Sequence, residues 1–240
     1  MKNRWPALQQ MSRALKRHSA AYRYAHALMY AAPSLVWRKA SYSQWGEDRL
    51  ILDWFERHNG IHPSWIYADV GANHPTVIND TFLFYRAGYS GLLVEPNREL
   101  ARICKLVRNR DTVLNIGAGN RTGTLRIFIT TNPVFSSFER SQLEDTVAAS
   151  YMVPVLRLDD LRGHIDGRRV FLLKIDTEGF DQNVLEGAPG LLANTMVVLT
   201  ETRSDEERSQ RAAILGPSWD IIYSSANTVF VNRAFFKSPK

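Results

Sequence analysis

Trp65-Ile66-Tyr67-Ala68-Asp69-Val70-Gly71-Ala72-Asn73 is an apolar run that stops abruptly in a turn of small residues. A strand that breaks into a glycine turn is how a nucleotide-binding βα unit opens. Gly71 has no Cβ, so a ligand can approach the backbone closely there. Asp69 stands at the carboxyl end of the strand, where open α/β sheets bind their ligands. Asn73 occupies the place of the second glycine of a dinucleotide fingerprint, so the turn is not G-x-G-x-x-G. An acidic D-x-G-x-N turn suits a ligand carrying an ammonium group better than one carrying a pyrophosphate. Alone, these residues are explained as well by a plain strand-to-helix turn.

The neighbouring strands make the pattern specific. Gly91-Leu92-Leu93-Val94-Glu95-Pro96-Asn97 is a second buried strand closing on a carboxylate. In doubly wound folds an acid at that point hydrogen-bonds ribose hydroxyls. Asp111 to Gly119 reads as a third strand ending in small residues, with Asn115 near its end. Val170-Phe171-Leu172-Leu173-Lys174-Ile175 reads as a fourth and delivers Asp176 and Glu178; Met196 to Glu201 reads as a fifth. Each strand brings polar groups to its carboxyl end, and those ends together would form one crevice. Trp219–Tyr223 and Thr228–Val231 read as a terminal β-hairpin.

The chain resembles the FkbM family of S-adenosylmethionine-dependent methyltransferases. The residues that carry the resemblance are Ser43-Gln44-Trp45-Gly46-Glu47-Asp48, Asp69-Val70-Gly71-Ala72-Asn73-His74-Pro75, Val94-Glu95-Pro96-Asn97, and Lys174-Ile175-Asp176-Thr177-Glu178-Gly179 followed by Val184-Leu185-Glu186-Gly187. It covers roughly residues 42 to 203. It implies a class I methyltransferase, Rossmann-like doubly wound α/β sheet, mostly parallel with a C-terminal antiparallel hairpin. It also implies S-adenosyl-L-methionine as cofactor and O-methylation of a sugar, glycolipid or secondary-metabolite hydroxyl. On this resemblance the cofactor would meet Asp69, Gly71, Asn73, Glu95 and Asn115, with Gln44 and Asp48 in a segment that covers it.

Composition is consistent with one folded domain at residues 41–240: 240 residues, 45% hydrophobic and 22% charged are enough for a full core. The single cysteine, Cys104, excludes an internal disulfide and a Cys-based zinc site. Its place in the expected helix after Glu95 reads as a buried thiol, and a reducing cytoplasm is the natural compartment. The net charge of +6 is unevenly placed. Eight of the 30 Lys and Arg lie in residues 1–40, which hold no acid, so the remaining chain has 22 bases against 24 acids. Leu8, Met11, Leu15, Tyr22, Ala25 and Met29 recur there at helical spacing. That extension is expected to be a basic amphipathic helix, packing on protein or lying on an anionic membrane. Arg23, His26 and Pro33 interrupt the apolar stretch, so a spanning helix is not expected, and no small-residue cleavage site follows a compact apolar core, so neither is a signal peptide.

Three side chains are candidates for chemistry. Methyl transfer to oxygen benefits from a base, or a metal, at the acceptor hydroxyl. Asp176 could take the proton. Asp176 and Glu178 could instead share a divalent cation, the less favoured reading; the alternative for Asp176 is a helix cap, and for Glu178 an exposed position. His74, beside the glycine turn, could act as a base near neutrality or be a surface residue. Asn79 or Asp80 is expected to cap a helix beginning near Asn79, and Ser43, Gln44 and Glu47 to start another. Residues 118–160 read as an inserted substrate-side segment: strands at Thr124–Ile129 and Val153–Leu158 around a polar helical stretch from Glu139 to Ser150. Partners expected are a small-molecule or glycan acceptor and no nucleic acid. The alternatives are an RNA methyltransferase using the basic arm, against which the slightly acidic catalytic domain speaks, and a non-catalytic Rossmann-like membrane-tethering module.

Overall fold

The computed structural model describes residues 29, 31, 33–36, 38–131, 136–140 and 146–236. The expected amphipathic helix falls outside them except at its end, where residues 33–36 are helical. Among the described residues no helix is long and apolar enough to cross a membrane.

A seven-stranded sheet organises the chain. Its strands are β1 (Ile66–Val70), β2 (Gly91–Val94), β3 (Thr112–Leu114), β7 (Val170–Ile175), β8 (Thr195–Glu201), β9 (Trp219–Ser224) and β10 (Asn227–Asn232). Their order is β3-β2-β1-β7-β8-β10-β9. The first five in that order run parallel, and β10 inserts antiparallel between β8 and β9. The mostly parallel doubly wound sheet and its closing hairpin are therefore as expected. β1 and β7 are buried along their whole length, which is why they read as unbroken apolar runs rather than alternating ones.

Each face of the sheet buries its own cluster. One gathers Tyr67, Leu93, Phe171, Val197 and Val229 under α1 (Glu47–Arg57) and α2 (Phe82–Arg86), with Ile51, Phe55, Phe82 and Phe84 filling it. The other gathers Ile66, Val70, Leu173, Ile175 and Val198 with Val184, Leu185 and Leu191 of α4 (Asp181–Glu186) and α5 (Pro189–Leu192). Full burial of one such aliphatic side chain stabilises by about 1.5–3 kcal/mol. Two further helices among the described residues are α3 (Arg98–Val107) and α6 (Asp205–Leu215).

Three expectations are corrected here. The run from Asp111 to Gly119 is two strands: β3 ends at Leu114, and β4 (Gly117–Ala118) joins a second sheet by pairing with β6 (Val147–Leu156), which also pairs with β5 (Gly123–Thr130). Between them the Asn115 amide donates to the carbonyls of Glu95 and Pro96, 2.8 and 3.0 Å away, and turns the chain out of the main sheet. The expected helical stretch up to Ser150 is strand from Val147 onward; residues 141–145 lie outside the described ones. β6 (Val147–Leu156) pairs antiparallel with β5 (Gly123–Thr130), and those pairings, Ile129 with Ala149 and Phe128 with Ser150, override the local helical preference. Finally, α2 begins at Phe82, not Asn79, and neither Asn79 nor Asp80 caps it.

Candidate active site

The sheet register assembles the site. Val70 pairs with Val94 on one side and with Ile175 on the other, and Ile175 with Thr200. The next residue of each strand is Gly71, Glu95, Asp176 and Glu201, so those four meet along one edge. An open crevice of about 560 Å³, including space continuous with solvent, lies between Gly71, Asn73, Glu95, Gly117, Ser137, Phe138, Asp176 and Glu178, among others.

Gly71 has a φ of 75°, and a Cβ there would stand 1.8 Å from the backbone oxygen of Asp176. Glycine is therefore required first by the crossing of two strand ends, a reason the sequence reading did not contain. Asn73 also sits in the left-handed region, with φ 50°, a conformation asparagine tolerates better than most residues. Its N–H donates to Glu95 Oε2 at 2.7 Å, while Asn97 N–H donates to Glu95 Oε1 at 2.7 Å. Each carboxylate oxygen keeps a further acceptor site. Burial pushes Glu95 up to about 7, against the pull of those two N–H groups.

Beneath this edge lies a polar chain that sequence reading missed. Lys174 is buried; its ammonium donates to the Gly71 carbonyl at 2.8 Å and pairs with Asp69 at 3.4 Å and Asp176 at 3.5 Å. Burial works against its charge, but Asp69, Asp176 and Asp80 outweigh that and raise its pKa. Asp69 faces inward: Oδ2 accepts from the Thr81 hydroxyl at 2.6 Å. Thr81 in turn accepts from Arg108, which is fully buried and also donates to Tyr67, Asn79, Pro75 and Asp111. Asp69 thus positions Lys174 and the turn rather than lining the crevice. An arginine at a helix C-terminus gave no sequence signal of burial, although Tyr67 and Asp111 bracket it.

The acids after β7 are brought together. The Asp176 side chain is 43% exposed and does not cap α4, whose N-cap is Phe180 without a side-chain bond. Glu178, in a left-handed conformation with φ 52°, is half-buried rather than exposed. Arg203 bridges Glu178 at 3.1 Å and Glu201 at 3.0 Å. Burial, then Asp176 and Glu201, push Glu178 up to about 7 despite Arg203. From the inserted segment, the Ser137 hydroxyl donates to the Glu178 carbonyl at 2.9 Å, which seats Phe138 at the crevice.

Other candidates lie elsewhere. His74 Nδ1 accepts the backbone N–H groups of Thr76 and Val77 at 3.2 and 3.1 Å, and the residue does not line the crevice. Asp48 is enclosed by its own loop, accepting from Ser41, Tyr42, Ser43 and Arg49. Gln44 is exposed beside it. Asn115 reaches the site only through the backbone of Glu95 and Pro96. Ser43 Oγ accepts the Gly46 N–H at 3.0 Å and so turns the chain into α1. Among the described residues no group of three or more His, Cys, Asp or Glu could hold a metal ion.

No similar curated protein and no similar solved structure was found. The profile of the methyltransferase FkbM domain matches residues 69–224, from the acid at the end of β1 to the end of β9. With that match over more than half its length, joined to a crevice that gathers the ends of β1, β2 and β7, the chain belongs to the FkbM methyltransferase family.

Proposed function

We propose that this chain transfers a methyl group from S-adenosylmethionine to a hydroxyl oxygen of a small acceptor, a sugar, glycolipid or secondary metabolite. The family itself implies the donor; the oxygen acceptor is our reading. The donor set of the crevice fits the cofactor. Glu95 retains acceptor capacity for a vicinal diol, Val94, Leu100, Ala118, Ile127 and Phe138 offer apolar surface for a flat base, and acids surround the place where a cation would lie. Gly71, Asn73 and Glu95 would hold it, with Asp69 acting through Lys174. When bound, the cofactor supplies an electrophilic methyl on a positively charged sulfur.

The observation that carries the oxygen reading is Asp176. It is a half-exposed carboxylate at the crevice, with the Lys174 ammonium 3.5 Å behind it. Placed beside an acceptor hydroxyl, its carboxylate accepts the hydroxyl proton as the oxygen becomes nucleophilic. Lys174 steadies the carboxylate from the buried side, and the backbone bond from Asp176 N–H to the Val70 carbonyl, 3.0 Å, fixes its distance from the turn. Glu178 and Arg203 stand next to it and would orient the acceptor.

The test is methyl transfer from isotope-labelled S-adenosylmethionine to hydroxyl-bearing acceptors, with the product located by mass spectrometry and NMR. Asp176→Asn should lower kcat by roughly 10²–10⁴-fold with little change in cofactor affinity. A product methylated on nitrogen or carbon would sink the oxygen reading.

A further inference from the structure

The end of the amino-terminal extension, helical at residues 31 and 33–36, packs the wrong way round for an ordinary surface helix. Ala31 and Ser34, three apart on one face, are each 1% exposed, while Leu35 and Val36 are 45% and 71% exposed. A surface helix normally turns its large apolar side chains to the core. Here the domain holds the opposite arrangement in place. The Arg86 guanidinium, at the end of α2, donates to the carbonyls of Ser34 and Leu35 at 2.8 and 3.1 Å.

From there the chain runs back along α2. The Lys39 N–H donates to the Tyr42 hydroxyl at 3.2 Å, and the Tyr42 ring stands edge-on to Phe82 with centroids 4.8 Å apart. The Asn79 N–H then donates to the Tyr42 carbonyl at 3.0 Å. The ridge so formed carries Leu35, Val36, Trp45 and Ile78, four of the eight large apolar side chains exposed among the described residues. Ile78 is exposed at a φ of 49°, which a β-branched residue rarely adopts. The ridge ends at the crevice edge. Glu47 accepts the Trp45 N–H at 3.0 Å and the Asn227 amide at 2.8 Å, and Asn227 pairs with Glu201.

Charge says what the ridge faces. Eight Lys or Arg precede Glu47 in the chain and no acid does, and Glu47 and Asp48 are themselves buried. Arg38 and Lys39, just past Val36, are exposed. Bases beside exposed aliphatic side chains suit a bilayer with anionic headgroups, whereas the aliphatic pair offers nothing to an RNA. We infer that this ridge docks on an anionic lipid bilayer, Leu35 and Val36 entering the headgroup layer and Arg38 and Lys39 meeting lipid phosphates, with the carboxyl edge of the sheet brought to the surface. The remaining bases of residues 1–40 add attraction that salt screens. The docking is independent of which acceptor is methylated.

The experiment floats the full chain with vesicles of phosphatidylcholine alone and of phosphatidylcholine mixed with phosphatidylglycerol, at low and high salt. Two variants accompany it, Val36→Asp and the double change Arg38→Glu with Lys39→Glu; thermal unfolding and sedimentation velocity check their fold and association. Wild type should bind the mixed vesicles at least about tenfold better than the neutral ones, and high salt should release it. Both variants should melt with wild type, since the changed side chains are exposed. Val36→Asp should lower binding at least about threefold, and the double change about tenfold. Equal binding to both vesicles, or none to either, overturns the inference. So does a Val36→Asp variant that floats as well as wild type, because the aliphatic pair then does not enter the lipid. A wild-type dimer that Val36→Asp splits would give the ridge to a second copy of the chain. An RNA oligonucleotide that strips wild type from mixed vesicles at equal phosphate would give it to nucleic acid. Either result also overturns the inference.

Discussion

Glu95 and Asp80 are both buried carboxylates at the carboxyl edge of the same sheet, and the chain treats them differently. Glu95 receives a backbone N–H on each oxygen, from Asn73 and Asn97. Asp80 receives no such bond, and Oδ1 is enclosed without a partner among the described residues. The same contrast holds one step further out. Behind Glu95 and the Gly71 turn, Asp69, Lys174, Thr81, Arg108 and Asp111 are joined by hydrogen bonds and ion pairs of 2.6 to 3.4 Å. Around Asp176, the acids Glu178 and Glu201 share a single arginine that is 40% exposed. The first half is tied together within the chain, although Asp69 Oδ1 and Asn97 Nδ2 are also enclosed without a hydrogen bond, and it suits a constant cofactor. The second is left electrostatically incomplete, which suits a ligand that brings its own donors.

The contrast can be broken first where it is most rigid. Gly71→Ala drives a Cβ into the Asp176 carbonyl and forces alanine into a left-handed conformation. It should cost more than about 4 kcal/mol, read as loss of the folded fraction in urea; a well-folded variant would mean the two strand ends can part. Next, Arg108→Met leaves Asp111 and Tyr67 buried without their cation. A drop of about 3–5 kcal/mol in chemical denaturation is expected, and a change below 1 kcal/mol would show that the network is not a unit.

Acidity sharpens the comparison. Burial raises Glu95, Glu178 and Asp181 to about 7 and Asp80 to about 8. An acid whose folded pKa is raised contributes stability below its unfolded value and loses it as the pH climbs through the folded one. The melting temperature should therefore fall steadily from about pH 5 to about pH 9, and Asp80→Asn should flatten the upper part of that slope. A melting temperature that rises over the same range would contradict the account. The smallest effect belongs to Arg203→Ala: a pair this exposed contributes less than about 1 kcal/mol, so unfolding should hardly move while acceptor turnover falls.

Much of this was legible in the sequence because burial writes itself plainly there. β1, β2, β7 and β8 are covered on both faces and read as apolar runs, and their polar ends marked Asp69, Glu95, Asp176 and Glu201. The outer sheet was harder: in β6 the residues from Val147 to Met152 are mostly exposed, so their periodicity is weak and only pairing with β5 sets it. Lys174, Thr81 and Arg108 were invisible because each is ordinary at its own position and is joined to the others only by the fold. Asp80 was misread for the opposite reason. An acid before a helix is so commonly a cap that the sequence offered no prompt to look further.

One calorimetric comparison tests the division of the crevice most directly: S-adenosylhomocysteine titrated into wild type, Glu95→Gln and Asp80→Asn. We expect micromolar binding to wild type, a loss of at least tenfold, about 1.4 kcal/mol, for Glu95→Gln, and a change within about twofold for Asp80→Asn. Equal losses in the two variants, or no binding to folded wild type, would contradict the division of the crevice described above.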